Sequence, residues 1–196
     1  MNHPLLFREL RITSQADRVA LLMSQPGYWN VVSIREPYHP EPVLDGAKLV
    51  MRQVFEDVLG GEASRKHAPR SAHLETILRF VDRTGAEPLL IHCWAGRSRS
   101  TAVALILMVR ALWNQGIDGA ELVRRAIDAL LAVRPEAFPN ALVLRLGLEL
   151  FLPQHLAASL SRLLVQDPRL RLNQLRQTWV DADLDVLEEG GPRPVG

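Results

Sequence analysis

Apolar positions along the chain repeat with helical or strand period in distinct segments. Ala16, Val19, Ala20 and Met23 follow i, i+3, i+4, i+7 spacing after Ser14, a candidate N-cap. Pro26 and Gly27 end that helix. Trp29 to Ile34 (WNVVSI) is a short β-branched run and predicts a buried strand. The stretch from Glu36 to Pro42 holds three prolines and reads as a loop. Lys48 to Phe55 predicts a second strand, and Asp57 to Arg70, with Gly60, Gly61 and Pro69, a flexible loop.

An amphipathic helix follows over roughly Ala72 to Asp82. Leu74, Ile77, Leu78 and Val81 share its inward stripe, Glu75, Arg79 and Asp82 its outer face, and Gly85 stops it. Pro88 to His92 (PLLIH) is a third strand running into Cys93. Beyond Arg99, TAVALILMVRALW is apolar on nearly all sides, a composition that belongs at the centre of a domain. Gly116 ends it, and Asp118 with Glu121 resembles a capping box for a helix whose buried stripe is Leu122, Ala126, Ile127 and Leu130. Pro135 and Pro139 bracket a turn, Asn140 to Leu152 is a helix stopped by Pro153, and Gln154 to Val165 is another, with Leu156, Leu160, Leu163 and Leu164 on one face. Strands alternating with helices, then helices alone, predict an α/β fold: a short, mainly parallel sheet covered by helices, with a helical C-terminal half. The predicted organisation is a catalytic unit over 1–153, a helical extension over 154–180 and a frayed acidic, then Gly/Pro-rich tail over 181–196.

Composition narrows the function. The 196 residues are 47% hydrophobic and 23% charged, ordinary for one globular unit that needs no disulfide or metal staple. Cys93 is the only cysteine, which excludes an internal disulfide framework and any multi-cysteine zinc site. A net charge of +1 gives no basic field for nucleic acid. The longest apolar stretch, Thr101 to Val109, is too short to cross a bilayer, and MNHPLLFREL lacks the core of a signal peptide. The expectation is a cytoplasmic protein without stable membrane insertion, with a reduced lone thiol.

The informative stretch is His92-Cys93-Trp94-Ala95-Gly96-Arg97-Ser98-Arg99-Ser100. An apolar strand delivers a cysteine, a tight loop follows, and a long buried helix begins at the arginine. A loop entering a helix N-terminus turns several backbone N–H groups toward one spot, at the positive end of the helix dipole, and a tetrahedral oxyanion fits there. Gly96 permits the turn, and Arg99 adds a planar fork for two phosphate oxygens. The same field favours thiolate at Cys93, and a thiolate beneath a cradled phosphate is a nucleophile aimed at phosphorus. Ser100 places a hydroxyl beside that sulfur.

HCWAGRSRS resembles the HC-x5-R-[S/T] signature of the cysteine-based protein tyrosine phosphatase superfamily, and the chain is similar in length to its small dual-specificity-like branch. The resemblance spans roughly Leu5 to Pro153 and is most specific over residues 91–101. It implies a cysteinyl-phosphate intermediate on Cys93, phosphoryl binding by Arg99 and the loop Trp94, Ala95, Gly96, Arg97 and Ser98, and a positioning role for His92, which otherwise reads as a core histidine. It also implies that an upstream loop aspartate protonates the leaving group. Asp57 suits that place, with Glu56 and Asp45 as rivals, whereas Asp82 lies on an outer helix face; a loop cap is the plainer reading of Asp57. Asn140, after Arg134-Pro135 and Pro139, resembles an asparagine that supports the active-site loops, and reads equally as a helix cap. Arg65, Lys66, His67 and Arg70 are either a cleft-lining cluster or a solvated loop. No cofactor or metal is expected. The implied substrate is a phosphorylated protein, or another phosphomonoester. AGRSRS also resembles the loop of a lipid phosphatase acting on phosphatidylglycerophosphate, and basic loop residues such as Arg97 resemble those of phosphoinositide phosphatases, but Trp94 stands where such enzymes often carry lysine. A non-catalytic phospho-residue binding module usually lacks the cysteine or the arginine, and the flanking His92 and Ser100 argue against a sulfurtransferase.

Overall fold

The computed structural model describes residues 8–58 and 65–177. Four strands, β1 (Leu10–Thr13), β2 (Asn30–Arg35), β3 (Leu49–Val54) and β4 (Leu89–His92), form one wholly parallel sheet in the order β1-β4-β2-β3. The expected parallel α/β architecture is present. β4 lies between β1 and β2, with His92 opposite Thr13 on one side and Ser33 on the other. A parallel sheet is covered on its faces, so its central strands are buried throughout: every residue of β4, and all of β2 but Arg35. β1 is a strand that the periodicity of the sequence does not reveal. Leu10 and Ile12 are buried and Arg11 exposed, but four residues give too short an alternation to recognise.

Helices α1 (Asp17–Ser24), α2 (Ser71–Arg83), α3 (Arg99–Asn114), α4 (Gly119–Val133), α5 (Ala141–Leu148) and α6 (Gln154–Val165) follow, and residues 168–177 form a last helix, α7. The expected stripe of α2 is buried as read, with Glu75, Arg79 and Asp82 outside. So is that of α4. In α3 every residue from Arg99 to Val109 is buried, and so is Leu112. Its Leu105, Ile106 and Met108 join Ile12, Ile34, Leu89 and Ile91 of the sheet and Leu144 and Leu148 of α5 in one hydrophobic cluster. Each fully buried aliphatic side chain of this kind stabilises the fold by roughly 1.5–3 kcal/mol. Leu160, Leu164 and Leu170 belong to the same cluster, so α6 and α7 pack onto it. Among the described residues, no helix is long and apolar enough to cross a membrane.

The structure corrects several details. Ser14 does accept the Asp17 N–H at 3.0 Å, but the stripe read for α1 faces outward: Val19 is 50% and Met23 64% exposed, while Arg18 and Leu22 are buried. Leu22 is drawn into a satellite core with Trp29, Leu44 and Leu90, and one Leu there outweighs the smaller Ala16 and Ala20. Arg18 can turn inward because its guanidinium reaches the backbone oxygens of Gln15 and Val43. Asp118 makes no side-chain capping bond among the described residues, and Glu121 is held instead by Arg124 at 2.7 Å. α5 ends at Leu148, four residues early; Pro153 disfavours helical backbone at the residue before it, and the chain closes in turns at Leu150 and Phe151. On α6, Leu163 is exposed and Leu156 only half-buried, because Ala157 and Ser161 take the inward positions beside Leu160 and Leu164. Of the segment read as a flexible loop, residues 59–64, with Gly60 and Gly61, lie outside the described residues, as does the tail 181–196.

Candidate active site

In a parallel sheet all strands point the same way, so the segments leaving their carboxyl ends gather at one edge. Here those segments are Ser14 after β1, Glu36 after β2, Phe55 to Asp57 after β3 and Cys93 to Ser98 after β4. Cys93 lies 1% exposed at the bottom of the cleft they form. Its Sγ is 3.2 Å from Ser100 Oγ, which the first turn of α3 brings back over the loop.

The loop is held from outside by its carbonyl groups. Trp94 O accepts from the Gln15 N–H at 2.8 Å and Ala95 O from Arg134 at 3.4 Å. Arg97 O accepts from the Phe138 N–H at 2.9 Å, and Ser98 O from the N–H groups of Ala102 and Asn140 at 2.9 and 3.3 Å. Four of the five loop carbonyls, all but that of Gly96, are thus engaged, whereas the amide N–H groups of Trp94 to Ser98 make no hydrogen bond among the described residues. Gly96 has φ +69°, and a Cβ there would lie 2.4 Å from the Thr13 carbonyl carbon and 2.6 Å from Ser14 N. The end of β1 thus occupies the space that any other residue would need.

Arg99 is 2% exposed. Its Nη1 donates to Phe55 O at 2.8 Å, its Nη2 is 3.0 Å from Glu36 Oε1, and its Nε is 3.4 Å from Asp57 Oδ2 without hydrogen-bond alignment, leaving that N–H unsatisfied among the described residues. Asp57 lines the cleft, and its Oδ1 accepts from Ser98 Oγ at 2.8 Å and Asn140 Nδ2 at 2.7 Å. Asn140 bonds to two segments. It accepts the Val143 N–H at 2.9 Å as the N-cap of α5, and donates to Val58 O as well as to Asp57. His92 is fully buried directly behind Cys93. Burial, aided by the positive charge of Arg18, pushes its imidazole down to about 4, so the ring is neutral near pH 7. Neither ring nitrogen reaches a partner at hydrogen-bond geometry among the described residues, although the nearby Cys93 backbone opposes the shift.

Of the rival carboxylates, Glu56 faces Arg65 at 3.5 Å and Asp45 lies beside Gly46, which packs on α1; neither lines the cleft. None of Arg65, Lys66, His67 and Arg70 lines it either. Arg97 does not itself line the cleft; its guanidinium is bonded to Gln177 of α7. Trp94 is half exposed at the rim, its ring 4.3 Å from that of His39. The structure adds residues that the sequence pattern did not single out: Glu36 beside Arg99, and Gln174 and Gln177 of α7 in the cleft wall. A carboxylate immediately after a buried parallel strand was the available signal for Glu36. Gln174 and Gln177 carry none.

No protein-family model and no curated protein matches the chain. Solved structures do. Human DUSP28 superposes with a TM-score of 0.51 at 21% identity, over 71% of this chain and 86% of that one. DUSP15 gives 0.51 at 20% identity, over 81% and 92%. Human tyrosine phosphatase-like serine/threonine/tyrosine-interacting protein gives 0.51 at 17% identity, over 72% and 89%. Together with the parallel sheet and the cysteine loop at its carboxyl edge, these likenesses identify the fold as that of the dual-specificity-like protein tyrosine phosphatases.

Proposed function

We propose that the protein hydrolyses phosphomonoesters through a phosphocysteine on Cys93, and that its substrates are phosphorylated protein side chains. One observation carries the reading. The loop that lines the cleft beside the Cys93 thiol carries N–H groups without a hydrogen-bond partner among the described residues, and Arg99 next to it carries a buried Nε that makes no hydrogen bond. Unsatisfied buried donors are costly, and a phosphoryl group with three oxygens satisfies them.

In this mechanism the Cys93 thiolate attacks phosphorus, forming the S–P bond as the P–O bond to the leaving group breaks. Asp57 gives its proton to the departing oxygen. Water then attacks phosphorus, Asp57 takes up the proton, and the S–P bond breaks to return the thiolate and release inorganic phosphate. Ser100 donates to the sulfur when it bears charge, in the free enzyme and as leaving group. Glu36 and the Phe55 carbonyl hold the Arg99 fork in plane. The His92 ring, neutral and packed, supports the base of the loop. Arg99 is the only cation lining the cleft among the described residues, because Arg97 is engaged by Gln177. A single cation suits a single phosphate on a protein side chain better than a lipid headgroup bearing several anionic groups.

The test is turnover of phosphotyrosine and phosphoserine peptides beside Cys93→Ser. The expected result is stoichiometric inactivation of the wild type by iodoacetate, prevented by phosphate or vanadate, with Cys93→Ser inactive yet still binding phosphate. Undiminished hydrolysis by Cys93→Ser refutes the mechanism.

A further inference from the structure

α7 closes one side of the cleft and is fastened to the segment that supports the loop. Asn173 Nδ2 donates to Pro135 O at 2.7 Å and to Ala137 O at 3.0 Å, and Leu170 is buried in the core. Arg169 is bound to Asp128 at 2.7 Å and to Asp167 at 3.0 Å. Phe138, next in this segment, donates its N–H to Arg97 O in the loop. The segment 135–138 therefore links α7, through Asn173, to the loop that follows Cys93, through Phe138.

Past Gln174 the cleft opens into a second cavity of about 470 Å³. The two spaces share Asp57, Ser98, Phe138 and Gln174. Asp57 thus stands at the neck between the sulfur and the cavity. On the mechanism above, the leaving group is protonated at Asp57, which lines both spaces, so whatever carries the phosphate lies beside this cavity. Its walls combine the carboxamides of Gln166 and Gln174 with apolar surface from Val165 and Leu170, and Arg171 stands at its edge. Arg171 is exposed and makes no ion pair among the described residues, whereas Arg169, two positions earlier, is consumed by two aspartates.

We propose that this cavity is the subsite for the residue flanking the phosphorylated one in a protein substrate, and that Arg171 selects an acidic side chain there. This rests on the phosphatase reading of Cys93. Carboxamides match the alternating donors and acceptors of a peptide main chain, the apolar wall takes a side-chain stem, and the guanidinium takes a carboxylate in bidentate fashion. The lining holds one cation and three carboxamides, with that of Asn140, rather than a cluster of cations, which favours a peptide over a polyanionic headgroup.

The experiment compares three phosphopeptides that differ only in carrying Glu, Gln or Lys at the flanking positions. Binding to the Cys93→Ser protein is measured by calorimetry, and kcat/KM with the Cys93 protein. The expected preference is Glu over Lys by about tenfold, reversed in Arg171→Glu, which is a surface change and leaves the fold intact. Equal affinity for the three peptides, or the same preference retained in Arg171→Glu, overturns the subsite. A dispersed short-chain phosphoinositide whose hydrolysis depends on Arg171 while the peptides show no charge preference overturns it as well. If turnover is absent throughout but the Cys93→Ser binding preference and its reversal are present, the subsite stands and the catalytic reading falls.

Discussion

His92 offers the sharpest quantitative check on the packing behind the loop. Its imidazole is held at about 4 in the folded protein against 6.5 in an unfolded chain, chiefly by burial. The unfolded state therefore binds a proton through this interval that the folded state refuses. Stability from the neutral ring is fully present above pH 6.5 and is lost as pH falls toward 4. At about 1.36 kcal/mol per pKa unit, the gap is worth about 3 kcal/mol, of which about 2 kcal/mol is already gone at pH 5. The assay is urea unfolding of the wild type and of His92→Asn, which cannot titrate, at pH 7.5 and 5.0. For m of about 1–3 kcal/mol/M, the wild-type midpoint falls by roughly 1 M more than that of the variant. The comparison with the variant is needed because His73, also lowered by burial and by Arg70, acts in the same direction. Parallel pH dependence of the two proteins, or an NMR titration of the His92 ring near 6.5, refutes the account.

Arg99→Lys keeps the charge but loses the fork and the reach to Phe55 O, and turnover is expected to fall by at least about 10²-fold with the fold intact by circular dichroism. Asp57→Asn is expected to slow hydrolysis of a phosphotyrosine peptide by ~10²–10⁴-fold but that of an aryl phosphate with a weakly basic leaving group far less. Glu36→Gln is expected to slow both to the same degree, because Glu36 acts through Arg99; a leaving-group dependence at Glu36 in place of Asp57 exchanges their roles. Gly96→Ala drives a Cβ into the backbone of Thr13 and Ser14 at a positive φ, and is expected to cost roughly 1–3 kcal/mol of stability and to impair phosphate binding, read by thermal unfolding with and without vanadate.

The features legible in the sequence are those carried by one continuous stretch of chain. α2 and α4 are long enough for their stripes to repeat, and α3 is apolar all round because it is buried all round. The cysteine, glycine and arginine of the loop fall within one strand-loop-helix segment, so their spacing alone implies an anion cradle. Short elements escaped or misled. β1 has too few residues to show a period, and the apolar side of α1 faces outward because the position of Leu22 relative to Trp29 and Leu44 is decided across the fold. Asp57, Glu36 and the Phe55 carbonyl meet around Arg99 only because β2, β3 and β4 run parallel and end at one edge. Whether Arg97 enters the cleft or leaves it depends on Gln177, 80 residues away, and the second cavity exists only where α7 is docked by Asn173. Local sequence determines which backbone and nucleophile are present; the surrounding charges and walls are set by contacts between distant segments, which no local pattern encodes.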